Sequence, residues 1–280
     1  MISFDFEYYK PTSIIEAVNL FQYLHQKGKK PIYYAGGTEI ITRARRNDLS
    51  MKAVIDIKAI PECTVFQFQD NKLIIGAVIT LTHLSEVNVF PLLSRTSSGA
   101  ADHTARNKIT LGGNISGRII YREAVLPFLL SNSQVVIAGP KGIKYASIHQ
   151  VFKKTLQVEA GEFLVQVITD KNYINLPYVV ARKTKIQKVE YPLATIAAIK
   201  RKEQIRTAFS GVCSFPFRSL EMEKELNDRS VPLRVRIDRA ISHLPGPLLS
   251  NVEGTAEYRK FVLGNTLEDI LEILEGERGC

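Results

Sequence analysis

The chain has 280 residues, 45% hydrophobic and 23% charged, which is enough to bury a substantial core in two or three subdomains of an ordinary soluble protein. No apolar run is long enough to cross a bilayer, and Met1-Ile2-Ser3-Phe4-Asp5 lacks the basic-then-apolar layout of a signal peptide, so a cytoplasmic location is expected. The net charge of +9 suits an anionic cofactor or acidic partner subunits, or else is solvated surface; aromatic residues are not interleaved with the basic runs as base stacking requires, so nucleic acid is not expected as a partner, and for want of an apolar span neither is a membrane.

In chain order, Ser13-Ile14-Ile15-Glu16 reads as a capping box. A helical apolar face of Ile14, Val18 and Phe21 follows, with Gly28 as its stop. Pro31-Ile32-Tyr33-Tyr34 reads as a buried strand, Ala35-Gly36-Gly37-Thr38-Glu39 as a turn, and Ile40 as the start of a helix. Ala53 to Ile57 is a further strand. Val65 to Phe68 and Leu73 to Gly76 flank Asp70-Asn71, a hairpin signal. Thr82 to Val87 and Pro91 to Ala105 read as helices.

A second double-glycine segment, Thr110-Leu111-Gly112-Gly113-Asn114, comes next. Val135 to Ala138 and Phe163 to Thr169 read as strands, with a turn at Gly139-Pro140-Lys141-Gly142. Ala194 to Ile199 and Ile205 to Ser210 form a hairpin pattern around Lys200-Arg201-Lys202-Glu203. Helical patterns cover Arg218 to Asn227, Arg234 to His243, and Thr255 to Leu263 with an extension from Thr266.

Paired glycines tolerate positive φ and present consecutive backbone N–H groups. Such concavities suit phosphate oxygens, and two of them suggest a ligand with more than one phosphate. The alternative is a tight turn with no ligand, and Asn114 then only satisfies its own backbone. There is no GxGxxG and no P-loop pattern. Cys63, Cys213 and Cys280 are widely separated and no histidine pair has metal-ligand spacing. The chain therefore holds neither a metal site nor an iron–sulfur cluster by itself.

The two segments resemble the paired AGGT and TIGGN motifs of the flavoprotein subunits of molybdenum hydroxylases, the xanthine dehydrogenase and carbon monoxide dehydrogenase type. Ala138-Gly139-Pro140-Lys141-Gly142, Gly161-Glu162-Phe163-Leu164, Pro216-Phe217-Arg218 and Glu257-Tyr258-Arg259 resemble further signatures of that family, in the same order along nearly the whole chain. The resemblance implies an α+β fold. A two-lobed FAD-binding domain (PCMH/vanillyl-alcohol-oxidase-like) would cover 1–176, with lobes of about 1–57 and 58–176. A small α+β domain like the C-terminal domain of the CO dehydrogenase flavoprotein would cover 177–280.

It also implies FAD between the lobes, held by Tyr33, Tyr34, Ala35, Gly36, Gly37, Thr38, Glu39 and Ile40 from the first segment and Thr110, Gly112, Gly113 and Asn114 from the second. Glu123 stands where the family has an acidic residue, usually Asp, facing the cofactor; otherwise it is a surface carboxylate. Leu164 and Lys183 fall where some relatives use a backbone contact and a lysine, Lys183 being otherwise part of a solvated basic loop through Lys188. Arg118 and Arg122 depart from the small, Pro-containing family pattern and would put positive charge near the flavin or the acceptor. Tyr191 is read either against the flavin or as a packed core residue.

The function implied is that of the FAD subunit in a heterotrimer. Electrons would leave a substrate, xanthine as the leading expectation, at the molybdenum cofactor of a large subunit. They would pass through [2Fe-2S] clusters of a small subunit and FAD to NAD or another acceptor. No side-chain acid or base is assigned. The alternatives are a stand-alone FAD oxidoreductase and a non-catalytic assembly subunit with a degenerate flavin site.

Overall fold

A computed structural model describes residues 2–185 and 191–276. Lys188 of the basic loop and the terminal Cys280 lie outside the described residues.

Strand β1 (Glu7–Tyr9) leads into helix α1 (Ile14–Gln26). The Ser13 hydroxyl caps α1 by accepting from the Glu16 N–H at 3.2 Å, and the Glu16 carboxylate accepts from the Thr12 N–H at 2.8 Å. The capping box forms with its return bond shifted back one residue. Gly28, at φ +70°, follows as the stop. Strand β2 (Pro31–Tyr34), helix α2 (Thr38–Arg45) and strand β3 (Ala53–Asp56) come next. The three strands form a parallel sheet in the order β1-β3-β2. All four residues of β3 are buried, as an inner parallel strand requires.

A 3-10 turn at Ile57–Ala59 and helix α3 (Pro61–Thr64) lead to strands β4 (Phe66–Gln69) and β5 (Lys72–Gly76). Asp70 and Asn71 join these strands at φ +48° and +61°, the pair of left-handed residues that matches strand twist in a two-residue hairpin. Helices α4 (Leu81–Val87), α5 (Pro91–Ser98), α6 (His103–Arg106) and α7 (Leu111–Ser116) follow. The single helix expected from Pro91 to Ala105 is not formed. It stops after Ser98, and Ala101 adopts φ +51°, a conformation no right-handed helix passes through.

A 3-10 turn at Glu123–Val125 precedes helix α8 (Leu126–Leu130). Strands β6 (Gln134–Gly139) and β7 (Gly142–Ser147), helix α9 (Ile148–Val151), the short strands β8 (Phe152–Lys153) and β9 (Thr155–Leu156), and strand β10 (Phe163–Asp170) complete this stretch. An antiparallel five-stranded sheet runs β4-β5-β10-β6-β7. Its register shifts between Leu164 and Gln166.

Strands β11 (Tyr178–Lys183), β12 (Ala194–Arg201), β13 (Gln204–Ser210) and β14 (Phe217–Arg218) form an antiparallel sheet in sequence order. Helices α10 (Leu220–Leu226), α11 (Leu233–Ser242) and α12 (Ala256–Glu275) follow. The pattern read from Thr255 and its extension are one helix. Gly264 sits inside it, where a Cβ would meet Ile241 and Arg234 at van der Waals distance, so the glycine does not end the helix.

The chain folds into two compact units, each gathered from separate segments. The first takes the chain up to Leu84, His103–Gly117 and Asn132–Lys171; the second takes Ser85–Asp102, Arg118–Ser131 and the chain from Asn172 onward. In the first unit Ile14, Ala17, Leu24, Ile55, Val136 and Phe163 share a core between α1, β3, β6 and β10. In the second, Ile196, Phe209, Met222, Ile237, Leu263 and Leu267 pack the sheet against α10, α11 and α12. Burying each of the larger of these side chains contributes roughly 1.5–3 kcal/mol.

Candidate functional site

Both glycine pairs lie in the first unit, side by side. A Cβ on Gly36 would land on the Lys108 carbonyl and lie 3.2 Å from the Thr110 nitrogen. The two backbones approach so closely that only glycine fits at 36. Gly37 has φ +73° and stands at the N-cap of α2 without any side-chain cap. A Cβ there would run into the Tyr34 ring. The N–H of Ile41 returns to the Gly37 carbonyl at 2.8 Å, which leaves the amides of Thr38 and Ile40 without an intrahelical acceptor. The start of α2 thus offers amide donors and a partial positive charge.

The second pair differs from the expected open turn. Gly112 and Gly113 lie inside α7, and Thr110 is its N-cap. The N–H of Leu111 donates to Ile79 O, that of Gly112 to Ala77 O, both at 2.8 Å, and that of Asn114 to Thr110 O at 2.8 Å. Gly113 donates to the Thr110 hydroxyl at 3.2 Å. Gly112 is required by packing, since a Cβ would lie 2.7 Å from that of Ala77. Gly113 is exposed, and a Cβ there would meet only the Thr110 hydroxyl, at 2.9 Å. The missing side chain at 113 opens the surface beside the first turn. Asn114 is buried. A pyrophosphate fits this arrangement, with free amides at one segment and space without side chains at the other.

Other expected residues have mixed placements. The Tyr33 ring stacks on Phe21 with centroids 5.0 Å apart, and its hydroxyl donates to Gly161 O at 2.9 Å. Burial pushes its pKa up, and the side chain is committed to the core. Glu39 lies where a Cβ on Gly117 would be 2.7 Å from its carboxylate. Leu164 is buried at the β10 irregularity, which leaves its backbone as the part a ligand would reach.

Glu123 and Lys183 belong to the second unit. Glu123 is 3% exposed, so the surface-carboxylate alternative does not hold. Burial raises its pKa, with its own backbone N–H and the charge of Arg182 opposing. Lys183 is exposed at the end of β11 and lines a shallow groove of about 230 Å³ with Tyr258, Phe261 and Asp269. Arg118 is exposed and Arg122 is buried. Tyr191 is not a core residue. It is half exposed and stacks on Tyr121, centroids 4.8 Å apart, while the Asn251 amide donates to the Tyr121 hydroxyl at 3.0 Å.

Sequence reading missed a polar cluster beneath the first turn. Asp56, 1% exposed at the end of β3, accepts from the Lys58 N–H through Oδ1 at 3.0 Å, while its Oδ2 accepts from the Tyr8 hydroxyl and meets the Lys58 ammonium at 2.7 Å. Burial alone would raise the Asp56 carboxyl; the bonds from Lys58 and Tyr8 outweigh it and hold the group below the usual carboxylate range. The signal available in the sequence was the place of Asp56 at the carboxyl end of a parallel strand, where such sheets gather their functional groups. Among the described residues, no group of His, Cys, Asp and Glu is arranged to hold a metal ion. Among the described residues, no helix is long and apolar enough to cross a membrane.

Residues 4–169 match the family described as the FAD binding domain in molybdopterin dehydrogenase. The nicotinate dehydrogenase FAD-subunit of Eubacterium barkeri is 28% identical over 180 residues, which cover 60% of this chain and 59% of that protein. The match thus spans under two thirds of that relative. The glyceraldehyde dehydrogenase medium chain of Sulfolobus acidocaldarius is 26% identical over 280 residues, covering 92% of this chain and 94% of that one. The xanthine dehydrogenase FAD-binding subunit of Escherichia coli O157:H7 is 26% identical over 152 residues, covering 52% and 51%. Among solved structures, a carbon monoxide dehydrogenase chain from Hydrogenophaga pseudoflava superposes with a TM-score of 0.86 over 99% of both chains at 23% identity, which shows a shared fold.

Proposed function

This chain belongs to the family of FAD-binding domains of molybdopterin dehydrogenases, and on that premise we propose that it is the medium flavoprotein subunit of a molybdenum hydroxylase. A large subunit with the molybdenum cofactor oxidises the substrate, a small subunit with [2Fe-2S] clusters links it to this chain, and NAD or another acceptor takes the electrons. Xanthine is the first substrate to try, and a cytoplasmic location is part of the same reading. FAD, when bound, supplies the exchange between two-electron and one-electron carriers.

The chain's own residues bind and orient. The amides of Thr38 and Ile40 at the start of α2 receive phosphate oxygens, and the Thr38 hydroxyl adds a donor. Gly113 leaves room for the ligand beside α7, which Thr110 and Asn114 hold in place. The Leu164 backbone completes the proposed contacts of the first unit, and Glu123 and Lys183 of the second unit are proposed as FAD contacts on the family resemblance alone. The observation that carries the reading is the side-by-side placement of Gly36-Gly37 and Thr110–Asn114.

The absorbance spectrum of the purified chain, with acid release of its chromophore, tests the cofactor. Flavin bands and released FAD are the expected result. A colourless protein that also fails to bind added FAD would overturn the reading and favour the assembly-subunit alternative. Affinity purification of the tagged chain from its own cells is expected to return iron and molybdenum with it. FAD alone, with turnover on a simple donor, would favour a stand-alone oxidoreductase.

A further inference from the structure

Lys58 lies in the 3-10 turn that follows β3, with its ammonium under the first glycine turn. It donates to the Ala35 carbonyl at 3.0 Å, meets the Asp56 carboxylate at 2.7 Å and stands over the Tyr34 ring, 4.6 Å from its centroid. Asp56 is itself fixed by the Tyr8 hydroxyl and the Lys58 N–H. The carboxylate is therefore a rigid anchor, and the ammonium bridges it to the turn. The Tyr34 ring occupies the space a Cβ on Gly37 would take, so Lys58 touches the residue before Gly36 and the ring beneath Gly37.

The consequence follows from peptide geometry. In a trans peptide the C=O and the next N–H point in opposite directions. Holding the Ala35 carbonyl on Lys58 turns the Gly36 N–H away from the lysine. The ring held by the ammonium supports Gly37 in its left-handed conformation, and that conformation starts α2. An ordinary surface ion pair contributes little. This one joins a buried carboxylate, a backbone carbonyl and an aromatic face through one ammonium.

We infer that Lys58 is a positioning residue of the cofactor site, clamping the Ala35–Gly37 turn in its phosphate-accepting shape before FAD arrives. The inference rests on the FAD reading above. It predicts affinity through preorganisation of the turn.

The test compares the full-length wild type with Lys58→Met, Lys58→Arg and Lys52→Met. Lys52 is exposed before β3, so its substitution removes the same charge without touching the turn. The measurements are the FAD dissociation constant by flavin fluorescence and amide hydrogen exchange of the apo chain across residues 35–38. Lys58→Met is expected to weaken FAD binding about tenfold, the effect of losing a hydrogen bond from a charged group. It should also speed exchange at 35–38 and leave exchange in the five-stranded sheet unchanged. Lys58→Arg, which keeps a cation with different geometry, should recover part of both effects, and Lys52→Met should show neither.

Wild-type binding with Lys58→Met indistinguishable from it, or matched by Lys52→Met, would overturn the clamp and leave the FAD reading standing. Loss of protection throughout the first unit in Lys58→Met, unrescued by Lys58→Arg, would return Lys58 to a merely structural role. A wild type that does not bind FAD would overturn the functional reading, and unchanged exchange at 35–38 would then refute the clamp on its own.

Discussion

The four glycines of the two motifs do different work, and substitution separates them. Gly36 and Gly112 are required by the close approach of neighbouring backbone or side chains. Gly37 is required by its positive φ and by the Tyr34 ring. Gly113 is exposed, and a Cβ there would crowd only the Thr110 hydroxyl, at 2.9 Å. Gly37→Ala is expected to lower stability by roughly 1–2 kcal/mol, the cost of an L-residue in the left-handed region, and to weaken FAD binding. Gly113→Val would press on the Thr110 cap, so it should destabilise the apo chain by no more than the loss of that cap, about 1 kcal/mol, while abolishing flavin retention. Normal flavin content in folded Gly113→Val would remove the second segment from the proposed site.

Asp56 gives a pH-dependent prediction at the same scale. Its carboxyl is held below the usual carboxylate range in the folded chain, against the effect of its own burial, by Lys58 and Tyr8. A depressed folded pKa stabilises the fold above the unfolded value of about 4 and loses that contribution as the pH falls through the folded value. Thermal melts of the apo chain from about pH 5 down to about pH 2 should therefore lose stability more steeply in wild type than in Asp56→Asn. Equal slopes would show that the cluster contributes no proton-linked stability.

At the scale of elements, what the sequence made legible was local chemistry. Ser13 announces α1, Asp70-Asn71 the hairpin between β4 and β5, and Lys200 to Glu203 the hairpin between β12 and β13, because each depends on residues within a few positions. The break after Ser98 was not legible, since it hangs on a left-handed alanine that composition does not announce. Nor was Lys58, whose partners depend on the parallel register that sets Tyr34 beside Asp56. The burial of Glu123 likewise needs tertiary structure. The second glycine segment was visible as a motif but not as a capped helix.

That cap can be tested. Thr110→Val removes the acceptor for the Gly113 N–H and should cost about 1 kcal/mol, the usual value of an N-cap side chain. Thr110→Ser should restore it. A melting temperature unchanged in Thr110→Val would mean that the bonds from Leu111 to Ile79 and Gly112 to Ala77 hold α7 without its cap.

For the whole molecule, the interleaving of the two units limits how the chain can be divided. The second unit includes Arg118–Ser131 as well as the chain from Asn172. Leu126, Phe128, Leu129 and Leu130 of α8 are all buried there. Arg218 of β14 donates to Leu129 O at 3.0 Å and is paired with Glu223 of α10 at 2.7 Å, while Arg206 of β13 donates to Leu130 O at 2.9 Å. A fragment of residues 177–280 would keep its sheet and three helices but lose α8. The apolar surface α8 covers would meet water, at roughly 1.5–3 kcal/mol per lost large side chain, and two part-buried arginines would lose carbonyl acceptors. That total approaches the whole stability of a domain of this size, about 5–15 kcal/mol. The 177–280 fragment is therefore expected to show helical circular dichroism without a cooperative thermal transition. A sharp, reversible melt of that fragment would mean that α8 is dispensable and that the C-terminal sheet with α10, α11 and α12 is self-sufficient.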